Sequence, residues 1–343
     1  MIFRSKNLTF VPAKRKILPM NKSQFAKQLI NEYGRERFPF LFIIDFEMNE
    51  PLIFRLDELN KDKIFYKIGG FENNPKIEQK NEKIIFEKYP VEKETYECAF
   101  VKVQKNISDG NTYLLNLTFP TRIETNLSFE EIFYRSNSKY KLLYKNDFVV
   151  FSPETFVQIA GGRIYSFPMK GTINAEIEKA AEIIINDQKE KAEHNTIVDL
   201  IRNDLSIVAE NVTVEKFRYI EEIKTHEKNL LQVSSKISGI LPANYNEKIG
   251  DIIFDLLPAG SISGAPKKKT VEIIKEVEIA PRNYYTGIFG IFDGKNLDSA
   301  VMIRFIENVN GQFYFKSGGG ITYQSNCESE YQELLDKVYV PFI

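Results

Sequence analysis

The chain predicts an α+β fold built on large antiparallel sheets. Hairpin signals recur at Gly161-Gly162 and Asn310-Gly311, each flanked by short apolar runs. Helical patterns fall between hairpins rather than between single strands, which argues against a parallel doubly wound sheet. No Pro-, Gly- or Ser-rich linker divides the 343 residues, so nothing forces a domain boundary.

Residues 40–46 read as a compact apolar strand, and the charged, Asn-rich stretch 72–93 as a surface excursion. A helix over 95–107 leads through the turn Ser108-Asp109-Gly110-Asn111 into a strand over 113–119. A strand over 148–151 precedes a hairpin over 156–167, which turns at Gly161-Gly162. Residues 175–209 read as helical with a break near Asn186-Asp187, and a further strand and helix follow. The remainder is an apolar segment over 285–292, a turn at Asp293-Gly294 and a strand over 299–307. The Asn310-Gly311 turn, a strand over 312–316, three glycines and a closing helix over 326–339 complete it.

Composition narrows the function. The 46 Lys and Arg balance 47 Asp and Glu, which leaves no electrostatic footprint for nucleic acid or an anionic membrane. Lys267-Lys268-Lys269 is the local exception and reads as a solvated helix face. Cys98 and Cys327 cannot form a disulfide framework and lack metal-type spacing. The N-terminus is basic without a signal-peptide apolar run, and residues 38–44 are too short to span a bilayer. A cytoplasmic protein is expected, so Asn211-Val212-Thr213 is not read as a glycosylation site. With two histidines, His194 and His226, and no Walker loop or dinucleotide fingerprint, most ATP-driven and NAD-dependent chemistry is excluded. So is a Cys-His amidohydrolase on the same chain.

Glu190 and Glu193 are three apart, as are Glu330 and Glu333, and on helices each pair shares a face. Two such faces can converge on a hard cation such as Mg²⁺. Glu is also a good helix former, and Asp187 with Glu190 or Ser325 with Glu328 resembles a helix-start box, so spacing alone leaves both readings open. Residues 260–267, with Ser263 and Pro266, run into a helix whose free N–H groups favour an anion. Gly318, Gly319 and Gly320 allow close backbone approach to a ligand, although ordinary turn chemistry explains both glycine segments equally. Lys170 lies between an apolar pair and Gly-Thr. Burial there would lower its pKa and make the neutral amine a nucleophile, whereas a lysine at a strand end can also be plain surface.

The order of these segments is more specific than any one of them. Ser152-Pro153-Glu154-Thr155-Phe156 is followed by Pro168-Met169-Lys170-Gly171-Thr172 and the stretch 189–205 (KEKAEHNTIVDLIRNDL). Then come 258–267 (PAGSISGAPK), Tyr285-Thr286-Gly287, Ile303-Arg304, 318–321 and Glu330 to Glu333. This series resembles the chorismate-utilising enzymes, strongly over the later part of the chain and less closely over 96–117. The resemblance implies a single domain of two antiparallel β-sheets forming a sandwich flanked by helices, with 1–94 as a shortened N-terminal part and 95–343 carrying the catalytic motifs. It implies that Glu193 and Glu333 bind Mg²⁺ directly, with Glu190 and Glu330 acting through waters, to hold the ring carboxylate of chorismate. Arg304 and Tyr285 would grip the other carboxylate, which suits the bidentate Arg fork. The backbone of Gly318, Gly319 and Gly320 and the Ser263 loop would complete the anion cradle, and Thr172 and Gln232 would line the substrate. Glu154 matches the general acid that protonates the departing ring hydroxyl.

Lys170 separates the branches of the family. The aminodeoxychorismate synthases resemble Pro-Ile-Lys-Gly-Thr here, and the anthranilate synthases carry Ala in place of the lysine. Leu114 stands where isochorismate and salicylate synthases use a lysine to activate water, and Leu cannot act as a base. Gln232 stands where the family commonly has His, and Gln cannot carry a proton. The Leu-Leu-Glu-Ser pattern of tryptophan feedback is absent. The expected function is therefore that of an aminodeoxychorismate synthase component I. It would convert chorismate and ammonia to 4-amino-4-deoxychorismate for 4-aminobenzoate and folate. A separate glutamine amidotransferase subunit would supply the ammonia, and a separate lyase would finish the route. The alternatives are anthranilate synthase component I and a chorismate-binding subunit without turnover.

Overall fold

In the run Phe40-Leu41-Phe42-Ile43-Ile44 every residue is buried. A strand with one wet face alternates; this one does not, because both its faces are covered. Phe40, Phe42 and Ile44 belong to one apolar cluster, and Leu41 and Ile43 to another. The same holds for the strand Phe148–Ser152, where Phe148 and Val150 face one cluster and Val149 and Phe151 the next. These strands lie in two stacked sheets with helices on the outer faces, as a computed structural model shows. It describes residues 21–74, 83–224 and 229–342, with the backbone alone at Lys189, Ile223 and Lys224. The N-terminal signal reading, His226 and residues 75–82 of the charged excursion lie outside the described residues.

Among the described residues the first sheet has nine strands. In spatial order they are Met169–Asn174, Asn229–Ile240, Arg163–Ser166, Thr155–Ala160, Leu297–Val301, Ile288–Phe292, Phe40–Ile44 and Leu52–Arg55, with Glu210–Lys224 added on Asn229–Ile240. The second, also of nine, runs Gly264–Ala265, Leu114–Thr125, Gln312–Thr322, Phe305–Val309, Phe148–Ser152, Tyr140–Tyr144, Ile64–Ile68 and Phe71–Glu72, with Phe86–Tyr89 on Leu114–Thr125. The ladders of the described residues are antiparallel. This is the α+β architecture expected.

Local chemistry explains most boundaries. Gly161 and Gly162 have φ of 58° and 74°, and Asn310 and Gly311 have 54° and 85°, so both turns use the left-handed region that type I′ hairpins require. Asp187 is extended between the helices Ala180–Asn186 and Gln188–Val208, and its side chain accepts from Glu190 N at 2.9 Å. The helix expected at 95–107 spans Lys93–Ser108.

Four expectations need correction. The apolar stretch 299–307 is not one strand. Leu297–Val301 lies in the first sheet and Phe305–Val309 in the second, and Arg304 turns between them at φ 53°. The three glycines are not a loop after a strand but the middle of the strand Gln312–Thr322, paired residue for residue with Leu114–Thr125. The closing helix Cys327–Asp336 is capped by Asn326, which accepts from Ser329 N at 3.2 Å, while Ser325 Oγ accepts from Thr322 N. Lys267 is not on a solvated face: it pairs with Asp204 at 3.0 Å and donates to Leu256 O at 2.9 Å.

Candidate active site

The two sheets exchange chain at one seam. Pro153 and Glu154 join Phe148–Ser152 of the second sheet to Thr155–Ala160 of the first, beside the Met302–Arg304 crossing. The crossings are bonded to each other: Val301 N donates to Glu154 O at 3.2 Å, and Phe151 N to Arg304 O at 3.1 Å. The turn at Tyr285 and Thr286 joins them, with Thr286 N on Met302 O at 2.8 Å. Leaving a ladder frees side chains to point along the seam, so Glu154, Arg304 and Tyr285 come together although 150 positions separate Glu154 from Arg304 in the sequence.

Glu154 accepts a hydrogen bond from Ser261 Oγ at 2.5 Å. Burial pushes its carboxyl above the usual range, and Ser261, Lys170, Lys337 and Arg304 pull in the other direction. Tyr285 is buried against Phe305, and burial raises its phenol pKa. The Arg304 guanidinium stacks over Tyr339 at 4.9 Å and opens into a groove of about 550 Å³ that Glu333 and Lys337 also line. A larger cleft, about 920 Å³, contains Glu278 and Arg282, whose charges are taken up by buried hydrogen bonds. The smaller groove is the one that meets Glu154's neighbours.

Of the four carboxylates, Glu333 lines this groove; Glu190 and Glu193 come from Gln188–Val208, and Glu330, which is buried, shares Cys327–Asp336 with Glu333. Lys170 Nζ donates to Glu193 Oε2 at 3.1 Å, and Lys337 Nζ pairs with Glu333 Oε1 at 2.6 Å and donates to Gly318 O at 2.8 Å. Burial works to lower the Lys170 pKa, but Glu193, Glu333 and Glu190 outweigh it and hold it raised. That corrects the expectation of an amine neutralised by burial: the surrounding carboxylates favour the ammonium.

Missing Cβ atoms make the remaining space. A Cβ on Gly319 would lie 3.4 Å from Glu330 Oε2 and 3.7 Å from Glu333 Oε1, and one on Gly320 would lie 3.8 Å from Lys170 Nζ. Gly171 has φ 82°, and its Cβ would stand 3.1 Å from Glu190 Oε2. No group of three or more His, Cys, Asp or Glu side chains among the described residues is already gathered to hold a metal. The donor set nonetheless fits a hard divalent cation. Carboxylate oxygens from two helices face a cradle without side chains, and their surplus negative charge has drawn two ammonium groups.

The model of the chorismate binding enzyme family matches residues 46–342. The chain belongs to this family. It is 53% identical over 311 residues to an uncharacterized PabA-like protein of Haemophilus influenzae, covering 91% of this chain and 94% of that protein. It is 33% identical over 262 residues to the aminodeoxychorismate synthase component 1 of Salmonella typhimurium, covering 71% of this chain and 56% of that one. Anthranilate synthase component I from Streptococcus pneumoniae superposes with a TM-score of 0.61 at 26% identity, covering 74% of this chain and 58% of that structure. The family fold is thus the anthranilate synthase component I type, two large antiparallel sheets with helices.

Other positions singled out from the family motifs divide. Thr172 and Gln232 are directly opposite in the ladder between Met169–Asn174 and Asn229–Ile240. Leu114 approaches Gly320, with Cδ1 3.1 Å from where its Cβ would be, so an apolar wall stands beside Lys170. The Ser263 hydroxyl turns away to donate to Ala259 O at 2.8 Å, inside the single turn Gly260–Ser263. Ser261, two residues earlier, is the hydroxyl that reaches Glu154. Sequence reasoning missed Ser261 and Lys337; Lys337 lies four residues after Glu333 on one helical face, a signal that could have found it. His194, beside Glu193, is buried on Ser235 Oγ at 2.7 Å, and burial first, then Arg218 and Lys170, pushes its pKa down to about 4.

No helix of the described residues is long and apolar enough to cross a membrane.

Proposed function

We propose that this chorismate-binding enzyme aminates chorismate to 4-amino-4-deoxychorismate, as an aminodeoxychorismate synthase component I. The observation that carries the reading is the position of Lys170. A primary amine stands over the side-chain-free Gly320, beside the Glu193 carboxylate and in the field of Glu154. The apolar Leu114 next to it favours an amine over activated water as the attacking group. The 33% identity to a component 1 enzyme supports the same branch.

In this mechanism Glu154, whose protonated form burial favours, protonates the C4 hydroxyl, which leaves as water while the Lys170 amine forms a bond to C2. Ammonia then bonds to C4, and the C2–lysine bond breaks. Arg304 grips the side-chain carboxylate, with Tyr285 beside it. Mg²⁺ would be held by Glu193 and Glu333, with Glu190 and Glu330 behind them. When bound it supplies the charge that anchors the ring carboxylate and offsets the carboxylates that keep Lys170 protonated. Lys337, on Glu333 and Gly318 O, braces the same wall. A glutamine amidotransferase partner delivers the ammonia, and the product serves 4-aminobenzoate and folate synthesis.

Product analysis tests this. The purified chain is incubated with chorismate, Mg²⁺ and ammonium salt, with and without an aminodeoxychorismate lyase. Appearance of 4-aminobenzoate only with the lyase is the expected result. Fluorescent anthranilate would instead assign the second reading, an anthranilate synthase, which the solved structure at 26% identity keeps in view. Chorismate bound but unchanged, with amidotransferase and glutamine also present, would leave a binding subunit.

A further inference from the structure

Glu154 also faces a second, small cavity. A cavity of about 30 Å³ is lined by Glu154, Ser261 and Asp204, and otherwise largely by apolar side chains such as Val157, Ile201 and Leu256. That volume holds one water molecule, for which about 10–15 Å³ suffices. The Glu154, Ser261 and Asp204 side chains on its wall would give such a water partners. Ser261 Oγ lies 2.5 Å from Glu154 Oε1. The Asp204 carboxylate packs against the backbone one residue before Ser261: a Cβ on Gly260 would fall 2.7 Å from Asp204 Oδ2. Asp204 Oδ1 in turn meets Lys267 Nζ at 3.0 Å, and the two side chains keep 15% and 21% of their surface. A polar path therefore runs from the general acid, between apolar walls, toward solvent at Lys267.

We propose that Asp204, acting through Ser261 and one water in this cavity, is the relay that returns a proton to Glu154 after each turnover. The inference rests on the reading of Glu154 as general acid. Glu154 gives its proton to the departing hydroxyl, which leaves as water. The resulting carboxylate takes the Ser261 hydroxyl proton, Ser261 takes one from the water, and the water takes one from the Asp204 carboxylic acid. Asp204 is reprotonated from solvent past Lys267. The proton consumed is matched by the one shed when ammonia becomes an amine. Burial favours the protonated form of both acids, and Lys267 opposes it at Asp204. Charged or titratable groups near Glu154 among the described residues include Lys170, Lys337, Arg304 and Tyr285, and Lys170, Lys337 and Arg304 favour its carboxylate, so an inward proton supply would help restore the acid.

The test uses the full chain with chorismate, Mg²⁺ and ammonium salt, and compares first-turnover and steady-state rates. Asp204→Asn keeps the shape but cannot pass a proton. It should run the first turnover at the normal rate and later ones roughly tenfold slower or worse, with chorismate affinity unchanged. In Asp204→Ala, added formate should restore the steady-state rate. Asp199→Asn, on the exposed face of the same helix, serves as the control. Glu154→Gln should block the first turnover. If Glu154→Gln is inactive while Asp204→Asn keeps the normal steady-state rate at every pH, the relay is wrong and the acid assignment stands. If Glu154→Gln retains full activity, the acid assignment itself fails and the relay falls with it. If Asp204→Asn slows the first turnover as much as the rest, or Asp204→Ala is not rescued by formate, Asp204 is a structural ion pair and the relay is overturned.

Discussion

Two clusters of charge in the molecule are built differently. Around Arg282 every bond is closed. Its guanidinium reaches both Glu278 oxygens, Ile262 O, Asn116 O and Thr286 Oγ1, and Thr118 donates to Glu278 through both N and Oγ1. The two side chains keep only 2% and 3% of their surface. Around Lys170 the pairs are looser: Lys170 with Glu193 at 29% and 16%, and Lys337 with Glu333 at 30% and 47%. The first cluster pins the helix Lys267–Val277 to the strand Leu114–Thr125 and to the turn before Tyr285, with both charged side chains almost wholly covered. The second leaves its charges partly solvated, which suits the proposed exchange of ammonium groups for a substrate and a cation. Buried charge is a clamp when every donor is used and a reactive centre when partners can be displaced.

If that distinction holds, Lys170→Ala should strike rate and spare stability. Aminodeoxychorismate formation should fall by about 10²–10⁴-fold, the range lost with a positioned catalytic group. The unfolding free energy should change by no more than about 1 kcal/mol, because the pair is partly solvated. Steady-state product analysis and urea unfolding on the same preparation check both. Intact activity would remove the nucleophile role, and a collapse in stability would erase the contrast with Arg282.

Glu278→Ala should do the reverse. It leaves Arg282 charged and buried without its carboxylate, which costs about 3–5 kcal/mol. Activity per folded molecule should survive. A denaturant titration showing a loss below about 1 kcal/mol would mean that the carbonyl acceptors alone satisfy Arg282, and the clamp would be the wrong description.

The sequence exposed these two clusters unequally. Glu190, Glu193, Glu330, Glu333 and Lys170 were visible because helical spacing and short motifs are local. The hairpins at Gly161-Gly162 and Asn310-Gly311 were visible for the same reason, since left-handed backbone demands particular residues. The sheet exchange at Arg304 was not. An apolar run carries no label for which sheet each half joins, because that choice is made by partners such as Gly287 and Phe151 far along the chain. Ser261 escaped for a similar reason, its partner Glu154 lying 107 positions away. Lys267 was misplaced because a triplet of lysines looks solvated until Asp204 arrives from another helix. Glu278 and Arg282 carry no motif at all, and only the fold reveals that they are buried.

The smallest effect is expected between the two extremes, at Lys141. This cation is buried like Arg282, but the acceptors it reaches are carbonyls, Phe133 O at 2.8 Å and Ser136 O at 3.1 Å. Burial pushes its pKa from 10.5 down to about 8, Lys67 adds to the shift, and Glu72 opposes it. With the folded value below the unfolded one, the unfolded chain takes up the proton first as pH falls. The stability carried by the neutral amine is therefore present above about pH 10.5 and is lost as pH falls toward 8. The difference amounts to at most about 3 kcal/mol. Lys141→Met removes the titration while keeping an unbranched chain over the Phe133 ring, so its stability should vary less with pH across that window than the parent's. Urea midpoints of both proteins at the two ends of the window decide it. Parallel pH dependence would show that two carbonyls satisfy a buried ammonium as fully as a carboxylate does, and closure of hydrogen bonds, not pairing of charge, would then be what separates the clamp from the reactive centre.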